Sequence, residues 1–146
     1  MWSAEELETR IERHGLTIVD LPGYGYAKAP KGEVDRWNRL IRNYLKGRVG
    51  LRRLLVLVDA RHGLKVSDRQ VMDMLDGAAV VYQIVLTKTD KVKAGDLANR
   101  RAEITAEIAR RAAANPEIMA TSAVKGAGIA ELRAALTELA SGEAMG

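Results

Sequence analysis

The chain has 146 residues, 47% of them hydrophobic and 29% charged, a make-up that suits one globular domain with a buried core. It has no cysteine, which excludes a disulfide framework and a thiolate metal site, and no apolar stretch approaches the roughly 18–20 residues of a membrane span. The net charge of +4 leans toward polyanionic partners without identifying one.

Met1 to Gly15 reads as a short helix. Ser3 with Glu6 forms a capping box, Trp2 can staple onto Leu7, and Gly15 is placed as its stop. Only Leu7 and Ile11 mark an apolar stripe. With Glu5, Glu6 and Glu8 and no long apolar core, the segment is not a signal peptide, and the chain reads as cytoplasmic with no membrane partner.

Leu16-Thr-Ile-Val-Asp20 is a run of apolar and β-branched residues that reads as a strand buried on both faces. Pro22 and Gly23 end it, so Asp20 stands at a strand's carboxyl end, where open α/β sheets place ligands. An acid there, with Gly three residues later, suits an Mg²⁺-bound phosphate; a turn capped by the Asp fits as well.

From Glu33 to Lys46 the apolar positions Val34, Trp37, Leu40, Ile41, Tyr44 and Leu45 have helical spacing. The other face carries Arg36, Arg39, Arg42 and Lys46, with Arg48, Arg52 and Arg53 close behind. It is either a solvated face or a phosphate-contacting surface for RNA. Leu54–Asp59 is a second buried strand ending in Asp, followed by Arg61-His62-Gly63; His62, lacking a nearby acid or nucleophile, is given a structural role. Ser67 with Gln70 caps a short helix through Val71, Met74 and Leu75 to Gly77.

Val80–Leu86 is the third strand, a helix follows from about Leu97 to Ala114 with Ala112 inward, and Ile118–Thr121 is a fourth strand. Ile129, Leu132, Leu136 and Leu139 make the apolar stripe of a last helix before a frayed tail. Strand and helix alternate, so the sheet is expected to be parallel with helices on both faces.

Thr87-Lys88-Thr89-Asp90 has the form [N/T]-K-x-D at a strand end. An Asp there can accept both the ring N–H and the exocyclic amine of guanine, and the Lys88 stem can lie along the purine face. Ser122-Ala123, one strand later, can offer backbone N–H groups to the guanine carbonyl. The order D-x-x-G, [N/T]-K-x-D, S-A is far more specific than any one of the three.

On Asp20-Leu-Pro-Gly-Tyr-Gly-Tyr-Ala27, Asp59-x-Arg61-His62 and Thr87-Lys-x-Asp90, the chain resembles the EngB ribosome-assembly GTPases, a group of G domains, over about Leu16 to Leu139. The resemblance implies an α/β fold, a three-layer parallel-sheet G domain of the P-loop NTPase type. It implies GTP/GDP with Mg²⁺ as cofactors, slow hydrolysis, and action in large ribosomal subunit assembly with a link to septation. Asp20 would be the metal ligand, in a loop with Leu21, Pro22 and Gly23 at the γ-phosphate. Thr87, Lys88, Thr89 and Asp90 would hold guanine, and Thr121, Ser122 and Ala123 would line the base.

The chain departs from that pattern in having no G-x-x-x-x-G-K-[S/T] loop. It reads as a partial G domain lacking its first strand and P-loop. Residues 1–15 form a helix outside the family pattern, 16–140 the core and 141–146 the tail. Tyr24 replaces the water-orienting Gln of Ras-like enzymes, so no residue is assigned as catalytic. Without the missing strand, the strand at Leu16–Asp20 should pair directly with Leu54–Asp59 or leave unpaired edges. Three functions remain: a weakened guanine-nucleotide-binding protein, a ribosome or RNA-binding module using Arg36, Arg39, Arg42 and Lys46, or an inert fragment.

Overall fold

In a computed structural model, the described residues are 11–13, 16–19, 21, 31–46 and 50–141. The elements are β1 (Ile11–Arg13), β2 (Leu16–Ile18), α1 (Lys31–Lys46), β3 (Leu54–Asp59), α2 (Val66–Gly77), β4 (Tyr82–Thr87), a 3₁₀ turn (Thr89–Lys91), α3 (Ala94–Ile108), β5 (Met119–Ala120) and α4 (Ile129–Ser141). They divide between two compact units, 1–49 with 133–146, and 50–132.

In the first unit residues 11–13 differ from expectation, while the rest of the expected helix, residues 1–10 and 14–15, lies outside the described residues. Residues 11–13 are a strand, not the end of a helix, and β1 pairs antiparallel with β2, Arg13 opposite Leu16 and Ile11 opposite Ile18. Beyond Leu7 the sequence has a single further apolar residue for a helix face, too few to dock a helix. Ile18 is 44% exposed, so β2 is not buried on both faces. Of the loop singled out beyond β2, Leu21 is half-buried, while Asp20, Pro22, Gly23 and Tyr24 lie outside the described residues. The helix α1 forms as its periodicity requires. Ile41 and Leu45 are buried, and Arg36, Arg39, Arg42 and Lys46 are exposed.

The second unit is built on a three-stranded parallel sheet in the order β3-β4-β5. Leu54 stands opposite Tyr82 and Asp59 opposite Thr87; Leu86 stands opposite Ala120. Tyr82, Ile84 and Leu86 are fully buried, as expected of a central parallel strand. Burying side chains of this size contributes about 1.5–3 kcal/mol each. The strand β3 has β4 as its only partner among the described residues, and Leu57 on it is 61% exposed. Among the described residues Leu54–Asp59 thus has one edge unpaired within its unit.

Two helix boundaries move for tertiary reasons. The capping carboxylate of α2 is Asp68, which accepts the Lys65 N–H at 2.7 Å, so the helix starts ahead of the Ser67–Gln70 box. The helix α3 ends at Ile108, well short of Ala114, and Ala112 is exposed. There the backbone is diverted: Ala113 N–H donates to Asp76 Oδ1 at 2.9 Å, and Tyr82 N–H and Asn115 N–H bond the facing carbonyls of Ala113 and Tyr82. The helices α2 and α3 are linked by the Arg69–Glu107 ion pair at 2.8 Å. Arg53 points to Gln83 Oε1 at 2.9 Å rather than standing on the exposed basic face.

Candidate functional site

Because β3, β4 and β5 run parallel, their carboxyl ends and the loops that leave them gather at one edge of the second unit. Thr87 ends β4, its carbonyl accepting Ala60 N–H at 2.9 Å and its hydroxyl reaching Val58 O at 3.4 Å. Lys88 then takes a left-handed conformation, φ 56°, which turns the chain into the 3₁₀ turn carrying Thr89 and Asp90. Lys88 is exposed; Thr89 and Asp90 are half-buried.

The loop after β5 is fastened to this turn. Thr121 is buried, with its N–H and hydroxyl both donating to Leu86 O, at 2.8 and 2.9 Å. Its carbonyl accepts Thr89 N–H at 3.2 Å and the Thr89 hydroxyl at 3.1 Å. Ser122, 1% exposed, donates its hydroxyl to Asp90 Oδ1 at 2.8 Å and accepts Lys125 N–H at 3.0 Å. That hydroxyl holds the Asp90 carboxyl below its ordinary pKa. Ser122 N–H is engaged by Ala127 O at 2.9 Å, while Ala123 is exposed. The return of the chain depends on Gly128, φ 72°, where a β-carbon would run into the Ala120 carbonyl oxygen. Thr87 to Asp90 and Thr121 to Ala123 are thus brought together as one constellation.

Sequence reasoning left Asp59 and Arg61 without a role here. Arg61 forks onto Asp59, Nη2 at 2.8 Å from Oδ2 and Nε at 3.1 Å from Oδ1, and its N–H adds a bond to Oδ1 at 2.9 Å. These bonds hold the Asp59 carboxyl far below the usual carboxylate range. Lys88 Nζ lies 3.6 Å from Asp59 Oδ2. The available signal was the D-x-R spacing at a strand end. His62 is exposed, and its backbone N–H closes the turn on Asp59 O at 3.1 Å.

A cleft of about 480 Å³ lies nearby, lined in part by Arg61, Lys91, Lys93, Asp96 and Arg100; Thr87, Asp90 and Ser122 do not line it. Among the described residues no cluster of three or more His, Asp or Glu could hold a metal ion, and no helix is long and apolar enough to cross a membrane.

No family model matches the chain. It is 57% identical over 126 residues to a "Probable GTP-binding protein EngB" of Rhodospirillum rubrum, covering 86% of this chain and 54% of that protein. A protein of the same name from Chelativorans sp. is 55% identical over 121 residues, covering 83% and 54%. The chain thus spans about half the length of the curated relatives it matches. Among solved structures, translation elongation factor SelB from Methanococcus maripaludis superimposes with a TM-score of 0.64 at 24% identity in its apo form, over 84% of this chain and 25% of that one. The same factor in complex with the GTP analogue GppNHp gives 0.63 at 23% identity, with the same coverage. This likeness shows the fold, α/β and P-loop NTPase-like.

Proposed function

From the premise that the chain is a relative of the EngB-named GTP-binding proteins, we propose that it binds GTP and GDP by reading the guanine base with Thr87–Asp90 and Thr121–Ala123. The observation that carries this reading is the fastening of the two loops, Ser122 to Asp90 and Thr89 to Thr121. Ser122 occupies one Asp90 oxygen, and the carboxylate keeps acceptor capacity for the paired donors of guanine, which adenine does not present. With Ser122 N–H committed to Ala127, Ala123 N–H is the donor for the guanine carbonyl. The Lys88 stem lies along the ring with its ammonium in water.

The resemblance supports Asp20 as the Mg²⁺ ligand, with Gly23 at the γ-phosphate. These 146 residues contain no G-x-x-x-x-G-K-[S/T], and each charge-assisted bond of such a loop contributes roughly 1.5–3 kcal/mol. GTP, GDP and guanosine should therefore bind this chain about equally and weakly, and hydrolysis should not exceed background. The wider role we infer is cytoplasmic, in large ribosomal subunit assembly with a link to septation. The exposed Arg36, Arg39, Arg42 and Lys46 favour ribosomal RNA as a partner.

Titration with GDP and ADP tests the base reading. GDP should bind in preference, and Asp90→Asn should erase the difference. Equal binding of the two nucleotides to the wild-type chain would overturn it.

A further inference from the structure

The D-x-R-H segment at the end of β3 is a motif that the proposed function does not use. Its residues form a closed turn: the Asp59 carbonyl accepts N–H bonds from His62 and Gly63 at 3.1 and 3.0 Å. Gly63 has φ 68°, and a β-carbon there would stand 2.7 Å from Arg100 Nη1. The missing side chain lets Arg100 lie over the turn, with Nη2 reaching the Arg61 carbonyl at 3.4 Å. The turn in turn fixes the Asp59 carboxylate, since Arg61 grips both its oxygens and adds its backbone N–H. A carboxylate held this firmly keeps its charge at any ordinary pH.

Asp59 and Thr87 are register partners, so the next residue of the β4 chain, Lys88, leaves the sheet beside that carboxylate. Its Nζ is 3.6 Å from Asp59 Oδ2. Lys88 is also one of only two described non-glycine residues with positive φ. Residues with a β-carbon adopt that conformation rarely, and the surroundings must hold it.

We propose that Asp59, clamped by Arg61, is a positioning residue that holds Lys88 with its stem set for the purine face before a nucleotide arrives. This inference rests on the base reading proposed above. It assigns a different task from that of Asp90. Asp90 distinguishes guanine from adenine through the base edge; Asp59 acts through the ring face, which both purines share. Removing the Asp59 charge should weaken purine binding while leaving the guanine-to-adenine ratio unchanged.

A double-mutant cycle on the full chain tests it, with Asp59→Asn, Lys88→Met and the double variant titrated with guanosine and adenosine by NMR. Asp59→Asn should weaken guanosine binding about two- to fivefold, the range of a partly exposed ion pair. In the Lys88→Met background the same change should have no further effect. An equal loss in both backgrounds would overturn the proposal, and so would no loss at all. A second arm needs no ligand: amide hydrogen exchange at Thr89 and Lys91, whose N–H groups bond Thr121 O and Lys88 O. Asp59→Asn and Lys88→Met should each speed it, and unchanged exchange in both would overturn the proposal. If wild-type protein binds no guanosine, the base reading fails, and the exchange arm decides the positioning on its own. Lys88 is 59% exposed on its side chain, so Lys88→Met probes the same contact without threatening the fold.

Discussion

Ser122 Oγ donates a 2.8 Å hydrogen bond to Asp90 Oδ1, tying the loop after β5 to the turn after β4 across 32 residues of sequence. The donor is buried and bonded on both sides, so it cannot rotate away from the carboxylate. Asp90 is thereby fixed as an ionised acceptor in a folded loop rather than a solvated side chain.

Replacing Ser122 by Ala should move the Asp90 carboxyl upward, toward its ordinary value, because the hydroxyl is the main cause of its lowered pKa. Guanosine affinity should fall in parallel, since the acceptor loses its fixed direction. Carboxyl-detected NMR titration measures the first effect; an unmoved Asp90 would show that the hydroxyl does not control it.

Asp76 staples three elements of the second unit. It accepts from Ala113 N–H at 2.9 Å, Arg111 Nη1 at 3.1 Å and the Tyr82 hydroxyl at 3.4 Å. Asp76→Ala leaves the mostly buried Arg111 and the backbone N–H short of acceptors, at a cost of about 3 kcal/mol. Asp73, 71% exposed, also pairs with Arg111, but Asp73→Ala should cost below about 1 kcal/mol. Denaturant unfolding of the two variants should separate them clearly.

Stability should fall on both sides of neutrality. Asp59 is held down by Arg61, Asp90 by Ser122 and Glu107 by Arg69, each below its ordinary value of 3.8 for Asp or 4.5 for Glu. Such groups bind fewer protons folded than unfolded, so their contribution is complete above pH 4.5 and is lost as pH drops through the folded values. Tyr82 is the opposite case. Burial, with Asp76 beside it, pushes it from 10.0 up to about 12, so the neutral form stabilises the fold below pH 10 and that stability is lost as pH rises toward 12. Glu107→Gln should flatten the acid limb of a stability–pH curve, and Tyr82→Phe the alkaline limb.

Binding of ribosomal RNA, if carried by α1, should be steeply salt-dependent. Four phosphate contacts give a log–log slope of about −3 to −3.6, a loss of roughly 50- to 150-fold between about 50 and 200 mM salt. Replacing Arg36, Arg39, Arg42 and Lys46 by Gln should remove most of that slope. Undetectable binding at about 50 mM salt, where such contacts are strongest, would dismiss α1 as an RNA surface.

The sequence alone determined what depends on local pattern. The unbroken run Leu54–Asp59 has the bounds of β3, because six apolar and acidic residues between Arg53 and Ala60 leave the strand no other extent. The stripe through Trp37, Ile41 and Leu45 made α1 a helix with a basic outer face, since the 3.6-residue period alone separates the two sides. The places of Thr87–Asp90 and Ser122–Ala123, at and just beyond the ends of β4 and β5, were also legible, because each follows a strand marked out by its own residues.

The tertiary structure decided what depends on partners distant along the chain. Ile11–Arg13 became a strand because Leu16–Ile18 was there to pair with it. The helix α3 ends at Ile108, and the chain just beyond it is held by distant partners, Ala113 by Asp76 and Tyr82 and Asn115 by Tyr82. The approach of Lys88 to the Asp59 carboxylate follows from β3 and β4 lying in parallel register, with Asp59 opposite Thr87. Periodicity reports which face of an element is apolar; it carries no information about which other element will meet that face, or which charge will stand beside it.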